Sequence, residues 1–156
     1  MDLGEMHKSI GNVATGKVAK RGRGKKVLDY SHLSPDPSYQ VLVHQQSSIP
    51  GRYLLEVQIH HPDQGQVGEV TGSVGNGALT MGNAEIKGPH QGRGLGKAAN
   101  LALLAHAYQL GAKQVVGDAH TEDSARVYRS LARTYGLGYN VPKTGRLYGA
   151  YRYDLR

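Results

Sequence analysis

The sequence predicts one α/β (α+β) domain in which an antiparallel meander is followed by a long helix, a β-α-β crossover and a C-terminal strand. Three observations support this mixed sheet. Apolar residues alternate over residues 53–86, they recur at helical spacing over residues 95–110, and a short apolar strand follows at residues 113–119. With 156 residues, the chain has room for one domain of ordinary size and not for two.

The first strand of the predicted sheet begins near Tyr39, because a Ser-Pro-Asp-Pro break occupies residues 34–37. Residues 39–44 are typical of a strand, with Val41 and Val43 on one side of it. Residues 45–51 include Pro50 and predict a short loop.

The meander is predicted from three further segments. Residues 53–61 indicate a half-buried strand, since Leu55, Val57 and Ile59 alternate with the polar residues Glu56, Gln58 and His60. Residues 67–74 and 78–86 predict two more strands. Between them, Asn76 and Gly77 suit a tight hairpin turn whose two central residues take positive φ angles.

The second half of the chain alternates helices and strands. The apolar repeat predicts a helix over residues 95–110 that packs flat on the sheet and ends at Gly111. Residues 113–119 predict a strand parallel to an earlier one, as a β-α-β crossover requires. A second helix is expected over residues 121–135, and residues 146–155 predict the closing strand.

The composition excludes several classes of function. The chain has no Cys, which rules out disulfides, thiolate metal sites and a Cys nucleophile. His60 and His61 are adjacent in a strand and point to opposite faces, so no metal site is expected. No apolar run approaches the roughly 20 residues of a membrane span, and the first residues lack the apolar stretch of a signal peptide. A cytoplasmic, intracellular protein without membrane contact is therefore expected, or a virion component if the chain is viral.

The net charge of +7 is concentrated near the N-terminus. Residues 1–36 are expected to form a basic, flexible arm attached to a domain over residues 37–156. Six cations without an intervening acid stand in this arm: Lys17, Lys20, Arg21, Arg23, Lys25 and Lys26. Such a run suits contact with nucleic acid or another polyanion, although a solvated tail that only aids solubility would have the same composition.

The glycine-rich segment before the long helix is the most informative part of the sequence. Glycines there let backbone N–H groups approach a ligand at the helix N-terminus, where the helix dipole favours negative charge. The spacing excludes a Walker loop, because Gln91 stands five residues before Gly96 where a glycine is needed. It also excludes a Rossmann fingerprint, in which Lys97 would have to be a glycine. The segment is therefore a phosphate cradle of another kind.

Residues 91–96, Gln-Gly-Arg-Gly-Leu-Gly, match the pattern Gln/Arg-x-x-Gly-x-Gly/Ala. This pattern resembles the acyl-CoA-binding signature of the GCN5-related N-acetyltransferases, the GNAT superfamily. The order of predicted elements over residues 53–155 is also similar to that family. A family pattern on the second helix aligns with Thr121, Ser124 and Tyr128.

The resemblance implies a cofactor site for acetyl-CoA or another acyl-CoA. The residues expected to hold the pyrophosphate are Gln91, Gly92, Arg93, Gly94, Leu95, Gly96 and Lys97. The strand that ends near Ile86 and the strand over residues 115–118 would splay apart and leave a slot for the pantetheine chain.

The resemblance also implies direct attack of an amine on the thioester, without a covalent enzyme intermediate. Tyr128 matches the tyrosine that protonates the departing thiolate in many family members, although it could instead be a core aromatic. The candidates for the general base include Glu85 and His120, and the sequence does not decide which face Glu85 occupies. His90 and Asp118 lie near the same slot in the sequence.

The family has two helices before its meander, which form one wall of its acceptor site. Residues 45–52 are too few for two helices, so either these helices are deleted or the residues before Tyr39 replace them. The leading hypothesis is an acyl-CoA-dependent N-acyltransferase that transfers an acetyl group to a small-molecule or protein amine, which the sequence does not identify. The alternative is a non-catalytic module of the same fold associated with nucleic acid, a virion or a nucleoid. A third hypothesis is a regulator that binds CoA but does not transfer an acyl group.

Overall fold

The structure, a computed structural model, describes residues 10–118, 130, 133, 138–140 and 150–154. Most of the second helix expected at residues 121–135 lies outside these residues. Among the helices that are described, none is long and apolar enough to cross a membrane.

The described residues form a nine-stranded sheet with the strand order β1-β2-β3-β4-β5-β6-β7-β9-β8. Neighbouring strands are antiparallel except β6 and β7, which run parallel. The strands are β1 Lys17–Gly22, β2 Lys25–Asp29, β3 Gln40–Ile49, β4 Arg52–His61, β5 Gly65–Gly75, β6 Ala78–Ile86, β7 Gln114–Asp118, β8 Gly138–Asn140 and β9 Ala150–Asp154. The described helix α1 is Leu95–Gln109, and short 3-10 turns are Ile10–Asn12, Ser31–Leu33 and Gly88–His90.

The meander predicted over residues 53–86 is confirmed as β4, β5 and β6. Alternate residues of β4 are buried against α1, with exposed fractions of 2% at Leu55 and 0% at Val57 and Ile59. The turn between β5 and β6 has positive φ angles of 53° at Asn76 and 75° at Gly77, which is the conformation that an Asn-Gly pair favours.

Helix α1 covers one face of the sheet and is buried around most of its circumference, as its sequence predicts. Its small residues, among them Ala99, Ala102 and Ala107, are fully buried and let the helix axis lie close to the strands. The helix is followed by Gly111 in the left-handed conformation with φ 96°, so the predicted C-terminal stop is confirmed. The face of the sheet opposite α1 is called the second face below.

Two predictions about the N-terminal half are wrong. Residues 45–51 were expected to form a loop, but β3 continues to Ile49 because Gln45 and Gln46 pair with Leu55 and Leu54 of β4. Only a tight turn at residues 50–51 remains, with φ 77° at Gly51.

The expectation of a flexible arm over residues 1–36 is also wrong for residues 17–29. They form a β-hairpin in which β2 pairs with β3, so the hairpin extends the sheet at its edge. Two apolar anchors explain this order: Leu28 is 3% exposed and Tyr30 is 0% exposed, and both belong to the core that includes α1. The core therefore continues across the boundary that was expected after residue 36. Between β3 and β4, where the resemblance implied two helices, the structure has only the tight turn at residues 50–51, and the residues before β3 form the hairpin.

The crossover and the closing strand are confirmed. Strand β7 pairs in parallel with β6, and β9 pairs antiparallel with β7 inside the segment predicted as residues 146–155. Strand β8 was not predicted, because three residues carry too little pattern to be recognised.

Candidate functional site

The glycine-rich loop connects the end of β6 to the first turn of α1. Gly92 and Gly94 take φ angles of 75° and 76°, which only glycine adopts without strain. The side-chain amide of Gln91 donates a 2.9 Å hydrogen bond to the carbonyl of Ile86. The loop is thereby fixed to the last residue of β6.

The N-terminus of α1 has backbone N–H groups that are free to bind a ligand. The bond from the Ala98 N–H to the Gly94 carbonyl, 3.1 Å long, is the first of the helix, and no side chain caps this end. The N–H groups of residues 95–97 therefore have no partner within the helix. A Cβ atom built at Gly92 would meet nothing within 4 Å, so the loop borders open space. These are the features of an anion cradle at a helix N-terminus.

Two cations flank this cradle. Arg93 and Lys97 are both exposed. Arg93 also lies near Asp36, whose pKa is lowered mainly by hydrogen bonds from Ser38 and further by the charges of Arg93 and His61. The charge of Arg93 thus acts partly on Asp36. Of the two cations, Lys97 is the one for which no such interaction with a carboxylate is described.

His90 supports the loop from the side of the core. Its Nε2 atom donates to Gln64 Oε1 at 2.8 Å, and its Nδ1 atom therefore accepts from the Tyr39 hydroxyl at 2.7 Å. Burial lowers the pKa of His90, and the charges of His61, Arg93 and Lys87 lower it further. With both ring nitrogens engaged, His90 positions the loop and is not available as a general base.

Strands β6 and β7 part after a short paired segment, at the position where the resemblance implies a slot. The two strands pair at only three positions and the last pair is Thr80 with Val116, although β6 runs on to Ile86 and β7 to Asp118. Among the described residues, none pairs with the backbone of β6 beyond Thr80 on the side of β7. This separated part of β6 ends at the glycine-rich loop.

Three carboxylates lie together on the second face, beside the open part of β6. Glu85 is exposed and pairs directly with Glu69 across the strands. A hydrogen bond to the carboxyl group of Glu56 raises the pKa of Glu69, and burial and the charges of Glu56 and Glu85 raise it further. The structure thus assigns Glu85 to the second face, and it adds Glu56 and Glu69, which were not singled out from the sequence. Alternation in β4 indicates that Glu56 points outward, but only the strand register brings the three together.

The other catalytic candidates, Tyr128 and His120, lie outside the described residues. Within the described part of the chain, no group of three or more His, Cys, Asp or Glu residues could hold a metal ion.

The six cations near the N-terminus lie on the hairpin formed by β1 and β2. Every residue of β1 is exposed. The cations are distributed as Lys17, Lys20 and Arg21 on β1, Arg23 in the turn, and Lys25 and Lys26 on β2. The hairpin is the edge of the sheet, so these charges border the sheet instead of lying on a separate arm.

Comparisons with known proteins give matches at the level of structure alone. No protein-family model matches the chain. No curated protein matches its sequence either. Among solved structures, a proposed acyl-CoA N-acyltransferase from Klebsiella pneumoniae is 19% identical with a TM-score of 0.52, over 66% of this chain and 73% of that chain.

Two further solved structures carry coenzyme A. The PaiA N-acetyltransferase from Thermoplasma acidophilum is 13% identical with a TM-score of 0.51, over 65% of this chain and 60% of that chain. The GNAT family N-acetyltransferase YhbS from Escherichia coli is 16% identical with a TM-score of 0.50, over 65% of this chain and 59% of that chain. At these identities the likeness concerns the fold. The chain has the mixed-sheet fold of the GCN5-related N-acetyltransferases, which confirms the fold that the sequence predicts.

Proposed function

We propose that this protein is an acyl-CoA-dependent N-acyltransferase that uses acetyl-CoA or a related acyl-CoA. The observation that carries the proposal is the continuity of the cradle and the slot. The glycine-rich loop that can bind a pyrophosphate is fixed by Gln91 to the last residue of β6, next to the segment where β6 and β7 part. An elongated ligand with an anionic end and a neutral chain fits such a path.

The loop residues have distinct roles in this proposal. The N–H groups of residues 92–97 bind the pyrophosphate, and Lys97 and Arg93 add charge-assisted contacts. The backbone of β6 beyond Thr80, which pairs with no described residue on the side of β7, would hold the pantetheine chain through its amides. The bound cofactor supplies an acyl thioester that is activated toward amines.

The acidic cluster supports a role in proton transfer. A carboxylate can accept the proton of an attacking amine, and a raised pKa makes it a more effective base near neutral pH. We assign this role to Glu69, with Glu56 as its hydrogen-bond partner and Glu85 beside it. Tyr128 remains the proposed proton donor to the departing thiolate, and His120 remains an alternative base.

Calorimetric titration with acetyl-CoA tests the proposal, with a matched pair of glycine variants. Gly92 and Gly77 both have φ 75°, and a Cβ atom at either would meet nothing within 4 Å. Gly92→Ala and Gly77→Ala therefore carry a similar backbone strain of about 1 kcal/mol. We expect acetyl-CoA to bind the wild type and Gly77→Ala alike, and Gly92→Ala about tenfold more weakly.

Absence of any binding to the wild type, or equal effects of the two variants, would remove the basis of the proposal. Release of the CoA thiol in the presence of amines then separates an enzyme from a protein that only binds CoA. Binding without release would favour the non-catalytic alternative.

A further inference from the structure

A groove of about 830 Å³ crosses the second face of the sheet from the hairpin to β6. Its lining includes residues from β1 to β6. It ends at Thr80, Met81 and Gly82, where β6 separates from β7. One end of the groove therefore borders the part of β6 where the proposed function expects the acyl thioester.

The strand register defines the floor of this groove. Lys20 pairs with Val27, Val27 with His44, His44 with Glu56, and Glu56 with Thr71. Residues that pair directly across antiparallel strands have their side chains on the same face. The side chains of Lys20 and Glu56 thus share the second face at a separation of three strands, or about 14 Å between backbones.

A parallel row starts at Lys25. It continues through Gln46, Leu54 and Ser73 to Thr80. Leu54 in the middle of this row is 62% exposed, which is unusual for a large apolar side chain and gives the groove an apolar centre.

The two ends of the groove carry opposite charges. The register places the side chains of Lys20 and Lys25 at the hairpin end of the second face, while Lys17 and Arg23 of the same hairpin do not line the groove. Among the described lining residues, Glu56 is the acidic one, and it lies toward the slot beside Glu69.

We infer that the acceptor is a small primary amine that carries an anionic group, bound along this groove. The inference rests on the proposed function and specifies its substrate class. The anionic group contacts Lys20 and Lys25, the aliphatic chain covers Leu54, and the amine reaches Glu56 and Glu69 at the slot. The amine nitrogen forms a bond to the acyl carbon as the carbon–sulfur bond breaks. The electron pair goes to sulfur, and a proton of the amine goes to the carboxylate.

Matched amines and matched charge variants of the full chain test this inference. The probes are 5-aminopentyl phosphate and 6-aminohexanoate, with pentylamine as the probe that lacks an anion. Binding is measured by calorimetry with and without CoA, and transfer by KM and kcat. The variants are Lys20→Gln/Lys25→Gln in the groove and Lys17→Gln/Arg23→Gln outside it. Each pair removes two positive charges from the same hairpin.

We expect both anionic amines to bind the wild type about tenfold more tightly than pentylamine. Lys20→Gln/Lys25→Gln should abolish this preference and raise KM with little change in kcat, whereas Lys17→Gln/Arg23→Gln should retain it. A preference for phosphate over carboxylate would identify the anionic group, and a preference for either supports the inference.

Equal binding of pentylamine and its phosphate, no binding of any of the amines, or equal effects of the two variant pairs would overturn the inference. Binding of a DNA duplex that both pairs weaken equally, without amine binding, would make the hairpin a polyanion surface instead. Failure of the proposed function is recognised separately. CoA would then not bind, while the anionic amines would still bind with the same dependence on Lys20 and Lys25.

Discussion

His106 lies inside the core between α1 and the sheet, with both ring nitrogens engaged. Its Nε2 atom donates to Gln45 Oε1 at 2.7 Å, and its Nδ1 atom accepts from the Tyr30 hydroxyl at 3.1 Å. Protonation of the ring would turn Nδ1 into a donor and break the bond from Tyr30. Burial, assisted by the charge of Lys26, lowers the pKa of His106 from 6.5 to about 4.

This lowered pKa makes the stability of the protein depend on pH. Below pH 6.5 the unfolded chain binds a proton at His106, but the folded chain does so only near pH 4. The folded state is therefore destabilised as pH falls from 6.5 toward 4. Between pH 7.5 and pH 5.0 the contribution of this one group to the free energy of unfolding falls by about 2 kcal/mol.

Urea denaturation at several pH values, followed by circular dichroism, measures this loss. His106→Gln removes the titrating group and keeps a polar side chain, and the difference between the two pH profiles isolates His106 from the other histidines. We expect the variant to be less stable than the wild type at pH 7.5 by about 1 kcal/mol. It should also lose about 2 kcal/mol less than the wild type between pH 7.5 and pH 5.0. Parallel profiles would show that His106 has the same pKa in the folded and the unfolded chain, and the reasoning about its burial would be refuted.

Three further predictions concern single substitutions. Gly96→Ala adds a methyl group at an ordinary contact distance, 3.9 Å from Ile86 Cγ1. Thermal melts should therefore show equal stability or an increase of about 0.5 kcal/mol, because alanine favours a helix more than glycine does. Calorimetry should show weaker binding of acetyl-CoA. Unchanged affinity would contradict the cradle. Glu69→Gln removes a carboxyl group whose pKa is raised in the fold. Denaturation experiments should therefore show a fold more stable by about 0.5 kcal/mol at pH 8, and no such gain below pH 4. The same variant should lower the rate of acyl transfer. Gly16→Ala places a methyl group against the ring of Tyr30 and should cost about 2 kcal/mol in urea denaturation. Gly22→Ala, which meets only the Lys25 Cβ at 3.9 Å, is its control, and equal stability of the two would contradict the packing of this segment.

The part of the fold from β4 to α1 could be predicted because its apolar residues recur at the regular spacing of strands and of a helix. Leu55 and Val57 alternate with polar residues, and the apolar residues of α1 follow helical spacing. The glycine-rich loop was recognised for a similar reason, since its spacing is a local property of the chain.

The hairpin could not be predicted from the same kind of pattern. Every residue of β1 is exposed, so an edge strand beyond the reach of α1 shows no alternation. Its order depends on the pairing of β2 with β3 and on the anchors Leu28 and Tyr30. The dense run of charges in this segment gives no sequence pattern that would indicate either of these long-range interactions.

The acidic cluster was not predicted because only the register of the paired strands brings its three carboxylates together. Glu56, Glu69 and Glu85 stand on three different strands, and neither their spacing nor their neighbours in the sequence mark them. A shift of one residue in the pairing of β5 with β6 would move Glu85 to the face covered by α1. The sequence therefore predicted Glu85 as a candidate base, but neither the nearby Glu56 and Glu69 nor the face of the sheet on which Glu85 lies.

The claim that the glycine-rich loop binds an acyl-CoA is tested most directly by following backbone amide resonances during a titration with CoA. The account predicts that the largest shifts occur at the N–H groups of residues 92–97, followed by those of β6 beyond Thr80. Amides in the turn at residues 76–77 should not move. Saturable binding with the largest shifts elsewhere, or no shifts at residues 92–97 at millimolar CoA, would contradict it.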